Sequence, residues 1–292
     1  MYKLFINKFI FFIELGRYNK LYGAFLLMWP CYWGSLINHP IDLVVIKNLI
    51  LFFLGSIVMR GAGCTINDLI DAPLDLKVKR TKNRPLASGV LSKKEAIYFL
   101  IIQLFFGLLI VINFDFYTIL LSLFIIPFVF LYPLVKKFSN YPQLFLGIVF
   151  NWGAIISYYA LHQSITIGLL SLYFAGVFLT LGYDTIYAFQ DIEDDTKHHI
   201  GSVAKKIRNY PKRMLTFFYM VSSSLFMLSF YFFEINKYFF FSTTILIIFH
   251  FFNQIKNFDL KRKDGFLKIF ISNVGLGGTI SFCLLLHSIY FF

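Results

Sequence analysis

Residues 93–137 read KKEAIYFLIIQLFFGLLIVINFDFYTILLSLFIIPFVFLYPLVKK. A helix needs about 20 apolar residues to cross the roughly 30 Å hydrocarbon core of a bilayer, and this stretch holds two such runs, joined by Asn113-Phe114-Asp115 and bounded by lysine pairs. A link that short makes the two helices an antiparallel hairpin. The fold class follows from repeating the exercise outward. Nine segments of similar character lie at 21–38, 44–66, 95–114, 116–135, 142–162, 165–187, 213–233, 236–255 and 267–290. The expectation is an all-α integral membrane protein, a single domain over residues 1–292, with about nine transmembrane helices.

Composition agrees. Of the 292 residues 58% are hydrophobic and 14% charged, too apolar for a water-soluble domain of this size. The 39 Phe need no aromatic cavity to explain them, because Ile, Lys, Asn and Tyr are abundant too, as an AT-rich coding sequence produces. Cys31, Cys64 and Cys283 are odd in number, far apart and set in apolar segments, so neither a disulfide framework nor a metal spacing is expected. The opening MYKLFINKFIFFIELGR is basic and apolar without a small-residue cleavage site, which reads as an amphipathic surface segment of a chain that starts at Met1.

Two connections, 67–94 and 188–212, are long and polar, and function is expected there. Alternating the links by side puts the N-terminal segment, both long connections, 135–142 and 256–268 together. With Arg213 at the head of the following span, that side carries 24 of the 27 Lys and Arg. The positive-inside rule makes it cytoplasmic, with the N-terminus inside and the C-terminus outside. The net charge of +12 then reflects topology and contact with anionic membrane lipid; no soluble basic domain exists to support nucleic-acid binding.

Eight of the 15 acidic residues fall in two windows: Asp68, Asp71 and Asp75, then Asp184, Asp191, Glu193, Asp194 and Asp195. Asp71/Asp75 and Asp191/Asp195 are i,i+4 pairs, and on a helical turn such a pair holds its carboxylates on one side, about 5–6 Å apart at Cβ. Like charges so placed repel, so a divalent cation between them is the natural complement. Magnesium suits, because it takes a few carboxylates and keeps positions for water and phosphate oxygens. The step from Asp71 to Asp191 and from Asp75 to Asp195 is the same 120 residues, which suggests duplicated halves facing one another across a cavity. Any single Asp here is equally well a hydrated helix end; the joint arrangement carries the inference. Lys77-Val78-Lys79-Arg80-Thr81-Lys82-Asn83-Arg84 follows the first window. The lysines are accounted for by topology, whereas Arg80 and Arg84 are expected to bind diphosphate oxygens left over by magnesium.

At these residues the chain resembles the UbiA superfamily of intramembrane prenyltransferases, and within it the branch acting on 4-hydroxybenzoate. NDLIDAPLD (67–75) matches N-D-x-x-D-x-x-x-D and is followed in phase by KRTKNRPLASG (79–89), with YDTIYAFQDIEDD (183–195) as the second motif. LLMWP (26–30), Met59-Arg60 ahead of Gly63-Cys64, and Leu131-Tyr132-Pro133 before a basic pair also match. Two places depart: Arg-Tyr-Asn-Lys-Leu (17–21) stands where the family has a pattern closer to R-x-D-K-P, and Lys136-Lys137 where Lys-Arg is common. A lysine attracts an acceptor carboxylate without gripping it bidentately.

The resemblance implies nine helices around a central cavity and magnesium-dependent transfer of the chain of a polyprenyl diphosphate to a ring carbon of 4-hydroxybenzoate, in ubiquinone synthesis, at a bacterial inner membrane or its organelle equivalent. It implies that Asn67, Asp71, Asp75, Asp191 and Asp195 hold magnesium, with Asp68 and Asp194 in support, and that Arg80 and Arg84 meet the diphosphate. Tyr183 and Tyr187, two and one turns ahead of Asp191, would flank an allylic cation. Arg60 would meet the acceptor carboxylate or a diphosphate oxygen, and Lys137 the acceptor carboxylate. A monomer suffices for this chemistry. The competing readings are another aromatic acceptor (haem, naphthoate, homogentisate), a lipid-phosphate or cation transporter, and an assembly subunit. His198-His199, without further ligands nearby, reads as solvated.

Overall fold

The computed structural model describes the backbone of residues 2–291, and the side chains of 8–262 and 265–291. The expectations that the chain starts at Met1 and that residues 1–7 form part of an amphipathic face lie outside the described residues. The elements are α1 (Tyr2–Leu15), α2 (Tyr22–Leu36), α3 (Leu43–Asp75), α4 (Lys93–Val111), α5 (Phe116–Phe124), α6 (Ile126–Phe138), α7 (Pro142–His162), α8 (Ile167–Ala188), a 3₁₀ turn (Phe189–Asp191), α9 (Ile192–Lys197), α10 (Val203–Lys206), α11 (Pro211–Phe232), α12 (Lys237–Asn257) and α13 (Lys263–Phe291). No strand occurs among the described residues.

Eight of the nine anticipated spans coincide with helices long and apolar enough to cross a membrane. The remaining one, α2, has 15 residues with Pro30 inside it, about 22 Å at 1.5 Å per residue. The span expected at 116–135 is helical in two pieces. It breaks at Ile125, where Pro127 two residues on supplies no N–H for the helical bond. Outward-facing side chains are apolar, as along α4, where Ile101, Phe105 and Leu108 are each about half exposed.

The chain folds as two compact units. One comprises Met1–Phe25 and Phe53–Leu134, the other Leu26–Phe52 and Val135–Phe292. In the first, Ala62 and Ile66 of α3 pack with Leu100 of α4. Leu86 and Leu91, from the connection after α3, are buried with Leu15 of α1 and Ala96 of α4, and Leu69 and Ala72 of α3 lie against that cluster. This apolar contact folds the connection back onto the end of α3. Ser92 and Glu95 start α4 with reciprocal side-chain to backbone bonds, which satisfy donors that a helix N-terminus leaves open. Asp115 caps α5, accepting from the amides of Tyr117 and Thr118.

In the second unit α8 is the central helix, buried over 72% of its most apolar window against 17% for α4. It packs on α7 and α11. Ile155 of α7 meets Tyr173 and Val177 of α8. Gly201 brings its backbone against the end of α6, donating to the Lys136 carbonyl at 2.7 Å, and a Cβ there would collide with the Ser139 carbonyl oxygen.

Candidate active site

The first acidic window is helical. The expected span ended at residue 66, but α3 continues to Asp75, so Asn67, Asp68, Asp71 and Asp75 occupy its last turns, and the Asp71/Asp75 spacing is an actual helical i,i+4 relation. Pro73 is tolerated because so near the end it removes one bond only. The chain then turns tightly, and Thr81 Oγ1 donates to the Asp75 carbonyl at 3.0 Å.

Asp68 and Asp71 are 1% exposed and Asp75 7%, while Asn67 is half-buried. Buried carboxylates need positive partners, and two arginines supply them for Asp68 and Asp75. Arg84 Nη1 donates to Asp68 Oδ1 at 3.1 Å and to Asp75 Oδ2 at 2.8 Å. Arg17 Nη2 donates to both oxygens of Asp68, at 3.0 and 2.8 Å. Its Nη1 donates to the carbonyls of Glu14 and Leu15 at the end of α1, and its backbone takes the left-handed conformation with φ 57°. Arg17 was not among the expected site residues. Sequence reading registered only that residues 17–21 depart from the family pattern, and the separation of 51 positions between Arg17 and Asp68 hid the pairing.

Arg80 is exposed on the connection. Arg60 lies on α3 beside Gly23, where a Cβ would come within 2.5 Å of Nε, so Gly23 makes the space the guanidinium occupies. Beside it Gln103 of α4 donates to Tyr18 Oη at 2.9 Å and Thr65 Oγ1 donates to Gln103 Oε1 at 3.0 Å. Burial pushes the Tyr18 phenol up, the bond from Gln103 works against that, and neighbouring Cys64 adds to the rise.

The second window is built differently. α8 carries Tyr183, Asp184 and Tyr187, the 3₁₀ turn ends at Asp191, and α9 holds Asp194 and Asp195. Asp191 and Asp195 therefore flank a junction, and only the first window is a continuous helix. Lys205 Nζ donates to the carbonyls of Asp195 and Ile200, at 3.3 and 2.7 Å, which ties the following loop to the window. Tyr183 is 3% exposed and accepts from Thr180 Oγ1 at 3.1 Å; Thr180 in turn accepts from Asn151 Nδ2 at 2.9 Å. The rings of Tyr183 and Tyr187 both pack on Phe270, at 5.2 and 4.9 Å. Asn151, Thr180 and Phe270 carry no sequence signal, since each is an ordinary residue of an apolar span. Gln190 Nε2, beside Asp191, is buried with no hydrogen bond among the described residues. Lys137 is exposed at the end of α6; His198 is half-buried and His199 exposed.

Among the described residues no three His, Cys, Asp or Glu side chains converge as a ready metal cage. The donor set nevertheless fits magnesium, a hard ion that takes one or two carboxylates and fills its other positions with water and phosphate. Each window offers carboxylate oxygens in that number, and the buried Gln190 amide is a spare donor for an anion.

The model of the UbiA prenyltransferase family matches residues 27–274. The mitochondrial 4-hydroxybenzoate polyprenyltransferase of Arabidopsis thaliana is 45% identical over 209 residues, 71% of this chain and 51% of that one. The 4-hydroxybenzoate geranyltransferase 1 of Lithospermum erythrorhizon is 40% identical over 208 residues, 71% of this chain and 67% of that one. The chain thus spans about half the length of several curated relatives it matches. Among solved structures, the apo UbiA homologue of Aeropyrum pernix K1 superposes with a TM-score of 0.72 at 20% identity, covering 90% of this chain and 96% of that one. A UbiA homologue of Archaeoglobus fulgidus bound to GPP and Mg2+ gives 0.67 at 17% identity, over 95% and 98%. At such identities the likeness shows the fold.

Proposed function

We propose, from the premise that this chain belongs to the UbiA prenyltransferase family, that it transfers the polyprenyl chain of a polyprenyl diphosphate to a ring carbon of 4-hydroxybenzoate, a step of ubiquinone synthesis. The observation that carries the reading is the set of three buried aspartates at the end of α3, with two arginines drawn onto Asp68 and Asp75. So much buried negative charge is a site made for cations. Relatives 40 to 45% identical whose names specify 4-hydroxybenzoate support the acceptor. Residues 1–292 act as one functional domain in the inner membrane of a bacterium or organelle, with the N-terminus and both long connections on the cytoplasmic side or its equivalent.

Asn67, Asp71 and Asp75 would hold one magnesium ion and Asp191 and Asp195 another, with Asp68 and Asp194 in support. When bound, magnesium neutralises diphosphate oxygens and favours the charge that grows on the leaving group. Arg80 and Arg84 add donors to those oxygens, and their effect is larger in the transition state than in bound substrate because the charge is larger there. The allylic C–O bond breaks with its electron pair going to diphosphate. Tyr183, its hydroxyl tied to Thr180, and Tyr187 present ring faces to the allylic cation. Arg60 holds the acceptor carboxylate or a diphosphate oxygen, and Lys137 attracts the acceptor carboxylate without a bidentate grip. Asp191 accepts the phenolic proton as the carbon ortho to the hydroxyl bonds the allylic carbon; loss of the ring proton to the diphosphate restores aromaticity as the phenolate, which takes its proton back from Asp191. Apolar helices exclude water that would quench the cation to an alcohol.

Isolated membranes incubated with labelled 4-hydroxybenzoate, competing acceptors and prenyl diphosphates of several lengths test this. Prenylated 4-hydroxybenzoate is the expected product. Product on naphthoate or homogentisate alone would refute the acceptor, and no product with any acceptor would refute the transferase.

A further inference from the structure

A cavity of about 510 Å³ lies in the second unit, between the start of α11 and the segment after α12. Its lining includes Lys212, Arg213, Lys256 and Lys261, all exposed. Among the described residues none of these four side chains makes an ion pair or hydrogen bond. The one acid among the described residues of the lining, Asp259, accepts from the Lys261 amide at 2.9 Å and faces Arg262 at 4.0 Å. Four like charges around one concavity repel one another, and an anion relieves that repulsion.

The position of the cavity names the anion. α11 begins at Pro211, α12 ends at Asn257, and the two helices pack together. The cavity therefore sits where two neighbouring spans leave the hydrocarbon, the level at which lipid phosphates lie. Phe258 is 1% exposed and packs against Phe266 and Phe189, at ring distances of 5.6 and 5.3 Å, giving a firm aromatic floor. Tyr210 and Leu260, both in the lining, are 50% and 44% exposed, which suits the glycerol and acyl end of a lipid. We infer that this cavity is a binding site for the phosphate headgroup of an anionic phospholipid. The inference does not rest on prenyl transfer and uses none of the residues assigned to it.

Native mass spectrometry of the full-length protein, titrated in detergent with phosphatidylglycerol or phosphatidylcholine, tests it. Phosphatidylglycerol should bind in preference. K256Q/K261Q should weaken it about 30-fold, since each basic residue near a membrane surface contributes about five-fold, the equivalent of about 1 kcal/mol. K212Q/R213Q should do the same independently, and K93Q/K94Q, outside the cavity, should leave binding unchanged. Unaltered binding by both cavity variants, or equal loss in the control, would overturn the site. Displacement of the lipid by millimolar inorganic phosphate or diphosphate would overturn the assignment to a lipid.

Discussion

Replacing Arg84 by Gln tests whether the first acidic window is held together by internal counter-ions. Arg84 contributes one hydrogen bond to Asp68 and one to Asp75, and its side chain is 21% exposed. Removing one member of a buried ion pair costs about 3–5 kcal/mol when the other charge is abandoned. Here Asp68 keeps both bonds from Arg17, so the loss falls on Asp75, where one charge-assisted bond is worth about 1.5–3 kcal/mol. The variant should be destabilised by about 2 kcal/mol, a fall in Tm of roughly 4–8 °C on the scale of chains of 150–250 residues. Thermal unfolding in detergent reads this directly. Magnesium alone, without a diphosphate for Arg84 to bind, should raise the Tm of the variant more than that of the wild type, because the ion no longer displaces a resident guanidinium from Asp75. A variant that unfolds within about 1 °C of the wild type, or gains no more from magnesium, would refute the counter-ion reasoning.

Asp71→Ala and Asp191→Ala should each lower prenyl transfer at least about 100-fold, given that even indirect metal-site partners are worth 10 to 100-fold, while the proteins remain inserted; near-normal product from either contradicts the ligand assignment. Chelation should stop transfer in the wild type and added magnesium restore it, and activity that survives a strong chelator counts against a metal. Gly23→Ala should push the Arg60 guanidinium aside and raise KM for 4-hydroxybenzoate with little change in stability; an unchanged KM removes Arg60 from the acceptor. Gly201→Ala drives a Cβ into a backbone carbonyl and should cost about 1–3 kcal/mol, read as a lower Tm. Burial raises the Asp115 carboxyl, but bonds from the side chain and amide of Thr118 and the amide of Tyr117 outweigh it, so the group is held below its usual 3.8. Its contribution is therefore present above the unfolded value and lost as pH falls through the folded one. Asp115→Ala should lower stability by about 1 kcal/mol at neutral pH, and the gap should begin to narrow as pH falls past the unfolded value of 3.8; a gap that does not narrow with acid argues against a charged cap.

Hydropathy along the chain determined the membrane class and the place of eight spans, because a helix in hydrocarbon must satisfy its own backbone and therefore shows itself as a local apolar run. The two aspartate windows were legible for a similar reason: clustered carboxylates are conspicuous in a chain with 15 acids among 292 residues. Tertiary structure decided what hydropathy leaves open. Apolar counting stops at polar residues, so it ended α3 at 66, whereas packing of Leu69 and Ala72 under Leu86 and Leu91 carries the helix to Asp75. It treated the two windows as copies, but the second is broken by a 3₁₀ turn at Asp191. Arg17 on Asp68, Thr180 and Asn151 behind Tyr183, and Gly23 beside Arg60 join residues 29 to 51 positions apart, or two helices of the same unit. Such pairings follow from where the helices stand, and no local pattern encodes them.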